Sequence, residues 1–155
     1  MAQENTNWSQ SAAAVCIREG KVLLARHTYG SGTGKLIIPG GYVNMGEAPQ
    51  EAVKREFLEE TGVVIQPGEL IGVRFNDRDW YVVFRADYVS GEARSDGEEN
   101  CEVVWMDPAE AMQREDVPEL TKLMIEKAFR PGAWGQTPFR SSRAGSTLYC
   151  AESGA

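Results

Sequence analysis

Two short apolar runs separated by one glycine open the pattern, SAAAVCIRE over residues 11–19 and KVLLARH over residues 21–27, with Gly20 between them. Runs of this length, aliphatic or β-branched and bounded by a turn residue, predict two strands joined tightly. YGSGTGK, residues 29–35, carries three glycines and predicts a loop. It departs from the G-x4-G-K-[ST] spacing of a phosphate-cradling loop, and no helical pattern follows it. A short apolar piece, Leu36-Ile37-Ile38, ends at Pro39-Gly40-Gly41. From about residue 48 to residue 61 the polar and apolar positions take a helical period. Pro49 suits the first turn, where a missing N–H costs nothing, and Gly62 suits the left-handed residue just past the end. ELIGVRF (69–75) and WYVVFRADYV (80–89) predict strands flanking the turn Asn76-Asp77-Arg78-Asp79, a hairpin, and a further strand is expected over residues 102–106. Residues 108–113 predict a short helical turn, and residues 117–129 a helix whose stripe of Leu120, Leu123, Met124 and Ala128 packs on a core. Beyond residue 130 the composition shifts to Gly, Ser, Pro and Arg without a sustained period. The expected organisation is an N-terminal arm (1–10), one domain (11–130) and a C-terminal tail (131–155) docked by Trp134, Phe139 or Tyr149.

Composition narrows the partners. A chain of 155 residues, 42% hydrophobic, suffices for one domain with its own core. With 23 acidic against 16 basic residues the formal net charge is -7, and the basic residues are spread singly, so no nucleic acid polymer is expected as a partner. Cys16, Cys101 and Cys150 form no CxxC pair and are odd in number, which favours reduced thiols over a disulfide framework or a zinc knuckle. MAQENTNWSQ lacks a basic segment followed by an apolar one, and nowhere do eighteen apolar residues run together. The expectation is a cytoplasmic protein with no membrane partner; a homodimer is left open.

The segment GYVNMGEAPQEAVKREFLEETGV, residues 41–63, carries the chemistry. On a helix Glu56, Glu59 and Glu60 fall within an arc of about 100°. Each i,i+4 like-charge pair costs roughly 0.2–0.5 kcal/mol, and carboxylates in the last turn cost about 0.3–1 kcal/mol each against the helix dipole. Lys54 and Arg55 alone make a weak counterweight. A divalent cation supplies the missing charge, and an all-oxygen donor set without nearby Cys or His suits Mg²⁺ or Mn²⁺ rather than zinc. Gly40 and Gly41 let the backbone turn sharply toward these carboxylates, so the Gly40 carbonyl is a candidate ligand.

Gly41, Glu47, Arg55, Glu56, Glu59, Glu60 and Gly62, closed by Val63, resemble the Nudix box, G-x5-E-x7-R-E-U-x-E-E-x-G-U. Phe57 departs from it, standing where the family has an aliphatic residue. A chance match of all seven fixed positions falls below about one in a hundred million per starting position. The resemblance implies an α/β fold, the Nudix α/β/α sandwich with a central mixed sheet, holding one to three Mg²⁺ or Mn²⁺ ions. It implies Glu56, Glu59, Glu60 and the Gly40 carbonyl as metal ligands, with Arg55 and Glu47 orienting the carboxylates. The implied reaction is metal-assisted attack of water on a diphosphate linkage of a small nucleotide-like molecule. Its general base is Glu56 or a residue of the loop SDGEEN, Glu99 ahead of Glu98. Arg26, Lys35, Arg74 and Arg78 are candidate phosphate contacts, and Tyr29, Trp80 or Trp105 candidate base-stacking rings. Tyr81 stands 18 residues past the box, a position linked with dinucleoside polyphosphate hydrolases; Arg78 replaces the proline of many ADP-ribose hydrolases, and the SQPWPFPxS tract of NADH pyrophosphatases is absent. His27, the single histidine, supports no nucleophile triad. A nucleotide sensor on this fold commonly has an eroded box and an added DNA-binding domain, and an isoprenoid diphosphate isomerase needs a catalytic Cys and further His ligands.

Overall fold

The computed structural model describes residues 9–152. β1 (Ser9–Arg18) and β2 (Lys21–His27) meet through Glu19 and Gly20, whose φ angles of 50° and 77° are the left-handed pair that a two-residue hairpin turn needs. The two strands pair only next to that turn, Ile17 opposite Val22 and Arg18 opposite Lys21. They then part. The first half of β1 pairs with β4 (Gly40–Tyr42), Ser11 opposite Tyr42 and Ala13 opposite Gly40. β2 pairs instead with β3 (Leu36–Ile37) and with β7 (Asn100–Met106). This exchange of partners splits one end of the sheet and leaves a crevice between its two halves.

β5 (Val64–Phe75) and β6 (Asp79–Ser90) make the expected hairpin, closed by Asn76, whose Oδ1 accepts the N–H groups of Arg78 and Asp79. β5 starts earlier than its apolar run suggests, because irregular register around Pro67 hides its first residues. β6 lies parallel to β1 from Ser9 opposite Asp79 to Ile17 opposite Asp87, while the other pairs are antiparallel. The sheet is therefore mixed.

Alternate residues of β1 feed two separate cores. Ala13 and Val15 pack with Met124, Ile125 and Ala128 of α3 (Glu119–Phe129) and Ala111 of α2 (Pro108–Gln113). Ala12, Ala14 and Cys16 pack on the opposite face with Val53 and Phe57 of α1 (Pro49–Thr61). Helices thus cover both faces, the α/β/α sandwich that the resemblance implies. Phe57 is fully buried, and the small side chains of Ala12, Ala14 and Ala86 in its cluster make room for an aromatic ring.

The segment expected to be a tail adds two strands to the sheet. β8 (Trp134–Gln136) pairs with β9 (Thr147–Ala151), and β9 pairs with β5, Leu148 opposite Arg74. Strands of three and five residues separated by an irregular stretch are too short to show a period. Strand pairing and the burial of Leu148 and Cys150 hold the segment, with Phe139 packed on the same cluster and Tyr149 meeting Phe75 edge-on at 5.9 Å. Trp134 stays exposed. Leu148→Ala is expected to destabilise by about 2–5 kcal/mol in urea unfolding, as a core truncation does; a loosely docked tail would lose under about 0.5 kcal/mol. Of the expected N-terminal arm, Ser9 and Gln10 already belong to β1, and the rest lies outside the described residues. The three cysteines are free, Cys16 and Cys150 buried and Cys101 exposed. No helix among the described residues is long and apolar enough to cross a membrane.

Candidate active site

α1 brings the first carboxylates to the crevice. Pro49 occupies its first turn, and Gly62 ends it in the left-handed conformation at φ 75°, with its N–H on the Leu58 carbonyl. Apolar Val53 and Phe57 face the core, which sets Glu56 and Glu60 at the rim of that buried face. Glu60 is only 4% exposed. The Glu56 carboxylate lies directly against Gly41, where a Cβ would sit 2.7 Å from both of its oxygens, so a side chain on Gly41 would displace it.

Arg55 ties the carboxylates together. Its guanidinium donates to both oxygens of Glu47 at 2.6 and 3.2 Å, to Glu56 Oε1 at 2.8 Å, to Glu59 Oε2 at 3.3 Å and to the Tyr42 carbonyl at 3.0 Å. These contacts join Arg55 and Glu47, the two residues expected to orient the carboxylates, to Glu56. Arg55 also draws Glu59 outward: the Glu59 side chain is 58% exposed, while Glu56 is 13% exposed.

A third carboxylate arrives from the loop before β7. Oxygens of Glu56, Glu60 and Glu99 lie within 4.8 Å of one another. Asp96 Oδ1 accepts the N–H groups of Glu98, Glu99 and Asn100 at 2.9, 3.0 and 3.1 Å, and Thr28 N–H donates to the Glu99 carbonyl at 3.1 Å. Glu98 is exposed, contributes its carbonyl to Thr28 Oγ1 at 2.6 Å, and is not part of the trio. Burial, then the shared hydrogen bond with Glu99, then the charges of Glu56 and Glu99 hold the Glu60 carboxyl well above its ordinary pKa.

The trio opens into a cleft of about 260 Å³ lined by residues of β1, β2, β3, β4, β6 and α1 and of the loops after β2 and before β7, including His27, Tyr29, Gly40, Tyr42, Asp79 and Tyr81. Among the described residues four carboxylates line it, Glu56, Glu60, Asp79 and Glu99, and no Lys or Arg does. Tyr29 is stacked on His27 with ring centres 5.8 Å apart, and burial holds the His27 pKa below its ordinary value against the pull of Glu99 and Asp96. Arg74 pairs with Asp79 and lies 5.2 Å from the Tyr81 ring centre, so it borders the cleft from behind. The other basic candidates stand elsewhere. Arg26 is held by Glu102 at 2.8 Å and Asp116 at 3.0 Å, and Lys35 and Arg78 are exposed outside the lining. Trp80 meets Phe75, and Trp105 meets Tyr88; neither lines the cleft. Tyr42, Asp79 and Asn100 carried no motif signal, and only the adjacency of Tyr42 to Gly41 and of Asn100 to Glu99 could have marked two of them.

The NUDIX domain model matches residues 8–127. The chain belongs to the Nudix family. Its class is that of the Nudix pyrophosphohydrolases, which act on nucleotide derivatives. A MutT-like protein of Streptomyces ambofaciens is 38% identical over 108 residues, covering 68% of each chain. The NAD-capped RNA hydrolase NudC of Photobacterium profundum is 31% identical over 122 residues, 71% of this Nudix chain but 44% of that longer protein. Among solved structures, the MutT protein of Methanosarcina mazei Go1 superposes with a TM-score of 0.67 at 29% identity, covering 79% of this chain and 94% of its own.

Proposed function

We propose that this chain hydrolyses a diphosphate linkage in a small nucleoside diphosphate derivative, such as a nucleoside triphosphate, a nucleotide sugar or a dinucleoside polyphosphate, with Mg²⁺ or Mn²⁺ bound at the carboxylate trio. One observation carries the reading: three carboxylates converge, Glu60 buried among them, in a cleft whose lining offers no Lys or Arg among the described residues. A polyphosphate is repelled from such a surface unless a cation intervenes. The donor set fits a hard divalent ion, being all oxygen, with His27 outside the convergent group. Glu56, Glu60 and Glu99 would hold the ion, with the Gly40 carbonyl and Glu59 as further ligands at the cleft and its outer rim. When bound, the cation neutralises charge on the phosphoryl oxygens and lowers the pKa of a coordinated water.

The chain's own residues do the rest. Arg55 fixes the Glu56 carboxylate against Gly41 and neutralises part of the local charge. Glu99, the exposed member of the trio, takes the proton of the attacking water at its carboxylate and can return it to solvent, which buried Glu60 cannot do as readily. Tyr29 and Tyr42, both exposed at the cleft mouth, offer ring faces to a nucleobase. Tyr29→Ala is therefore expected to raise KM about tenfold with little change in kcat, on the scale of roughly 1–3 kcal/mol for a base stacked on an aromatic ring. Steady-state kinetics on the preferred substrate checks it.

The defining experiment measures phosphate release from nucleoside triphosphates, ADP-ribose, NADH and dinucleoside polyphosphates with Mg²⁺ or Mn²⁺. Metal-dependent turnover that Glu60→Gln abolishes supports the hydrolase and names its substrate class. Nucleotide binding without turnover across the panel would instead favour a sensor.

A further inference from the structure

Asn100, the first residue of β7, is 2% exposed and takes no part in the chemistry above. Its Nδ2 donates to the Glu60 carbonyl at 3.0 Å. That carbonyl belongs to the last turn of α1, where no helical N–H remains to donate to it. The amide orientation follows, since reversing it would set oxygen against oxygen. Asn100 Oδ1 is buried without a hydrogen-bond partner among the described residues. A buried unpaired acceptor is a stability cost that an apolar side chain of the same volume avoids. The amide thus gains the helix-end hydrogen bond but carries an unpaired oxygen that sets a cost against it, so its net contribution to stability is small.

The backbone of Asn100 is held on the loop side. Its N–H donates to Asp96 Oδ1 at 3.1 Å, and its carbonyl accepts Ser95 Oγ at 2.8 Å. Glu99 is its chain neighbour, fixed by Asp96 and Thr28. The side chain thus joins the loop that carries Glu99 to the helix residue that carries the Glu60 carboxylate, across 40 positions of sequence. Asp96, Glu98 and Glu99 bring like charge toward Glu56 and Glu60, so without such a link repulsion favours their separation.

Resting on the hydrolase reading above, we propose that Asn100 is a positioning residue that sets the separation of the Glu99 and Glu60 carboxylates and thereby both cation affinity and the rate of hydrolysis. Asn100→Leu keeps the branched shape and the four side-chain heavy atoms, with somewhat greater bulk, and removes both the donor and the unpaired oxygen. The variant is expected to stay folded, with its thermal midpoint lowered by about 10 °C or less, the scale of one helix-end carbonyl left without its donor. Calorimetric Mn²⁺ binding should weaken at least about fivefold, and kcat fall at least about tenfold at nearly constant KM. In a Glu99→Gln background the same substitution should change either quantity by less than about twofold, because the group it positions is gone. Equal factors in both backgrounds, or unaltered Mn²⁺ affinity in a folded Asn100→Leu protein, would overturn the proposal. Should Asn100→Leu not fold, Asn100→Ser is judged by the same criteria. Failure of the unsubstituted protein to turn over any substrate counts against the hydrolase alone, and the Mn²⁺ measurements still decide the positioning role.

Discussion

Glu60→Gln is expected to lower metal-dependent turnover by about three orders of magnitude, the scale of losing several kcal/mol of charge stabilisation at the phosphoryl group. The amide keeps the shape of a side chain that is 4% exposed, so folding survives. Stability should move the other way. Burial first, then Glu99 and Glu56, hold the Glu60 carboxyl above its ordinary pKa. A carboxyl raised in this way gives its full contribution below the unfolded pKa and loses it as pH rises toward the folded one. The cation-free protein should therefore weaken relative to Glu60→Gln on going from about pH 5 to about pH 8. Saturating Mg²⁺ should reverse the order, because the proposed carboxylate site exists only in the folded chain. Urea midpoints of both proteins at the two pH values, with and without Mg²⁺, check this; a Gln variant that still gains stability from Mg²⁺ would move the cation away from Glu60.

Arg55→Ala is the second large effect. One guanidinium serves Glu47, Glu56 and Glu59 and the Tyr42 carbonyl, and Glu47 followed by Glu56 holds its own pKa above the ordinary value. Removing it frees the Glu56 carboxylate beside Gly41 and takes a donor from five acceptor atoms, two of them on Glu47. On the proposed ligand roles, a loss of about 10–100-fold in kcat or cation affinity is expected, the scale for groups that orient metal ligands. The stability cost should lie between the roughly 1 kcal/mol of an exposed pair and the roughly 3–5 kcal/mol of a buried one, since the arginine side chain is 29% exposed. Lysine is expected to recover little activity, because a point charge cannot reproduce the fork that spans Glu47 and Glu56. Kinetics and Mn²⁺ titration of Arg55→Ala and Arg55→Lys test both statements.

Helix α1 and its box were legible in the sequence because local rules govern them: proline at one end, glycine at the other, and a helical period between. The sandwich was legible through resemblance, while the reason for it lies in the alternation of Ala12 to Cys16 between two cores. Spacing on a helix places three glutamates on one arc, but it does not say which of them a neighbouring arginine turns outward; Glu59 follows Arg55, and Glu99 joins Glu56 and Glu60 from the chain's later half. A loop residue carries no period, so only the resemblance pointed to Glu99. Arg26 was a candidate by charge alone, and its partners Glu102 and Asp116 come from distant elements that no local pattern reveals. The strands at 134–136 and 147–151 were missed for the opposite reason, a pattern too brief to register.

The parallel pairing of β1 with β6 has a kinetic consequence. Ser9 to Ile17 must find Asp79 to Asp87 over some seventy intervening positions, and pairings so remote in sequence form late because chain closure precedes any reward. α1 depends largely on near neighbours and can form early. During refolding, helical signal should therefore appear before the chain gains any capacity to retain a divalent ion, since Ser11, Tyr81 and the β4 glycines are brought together only when that closure is complete.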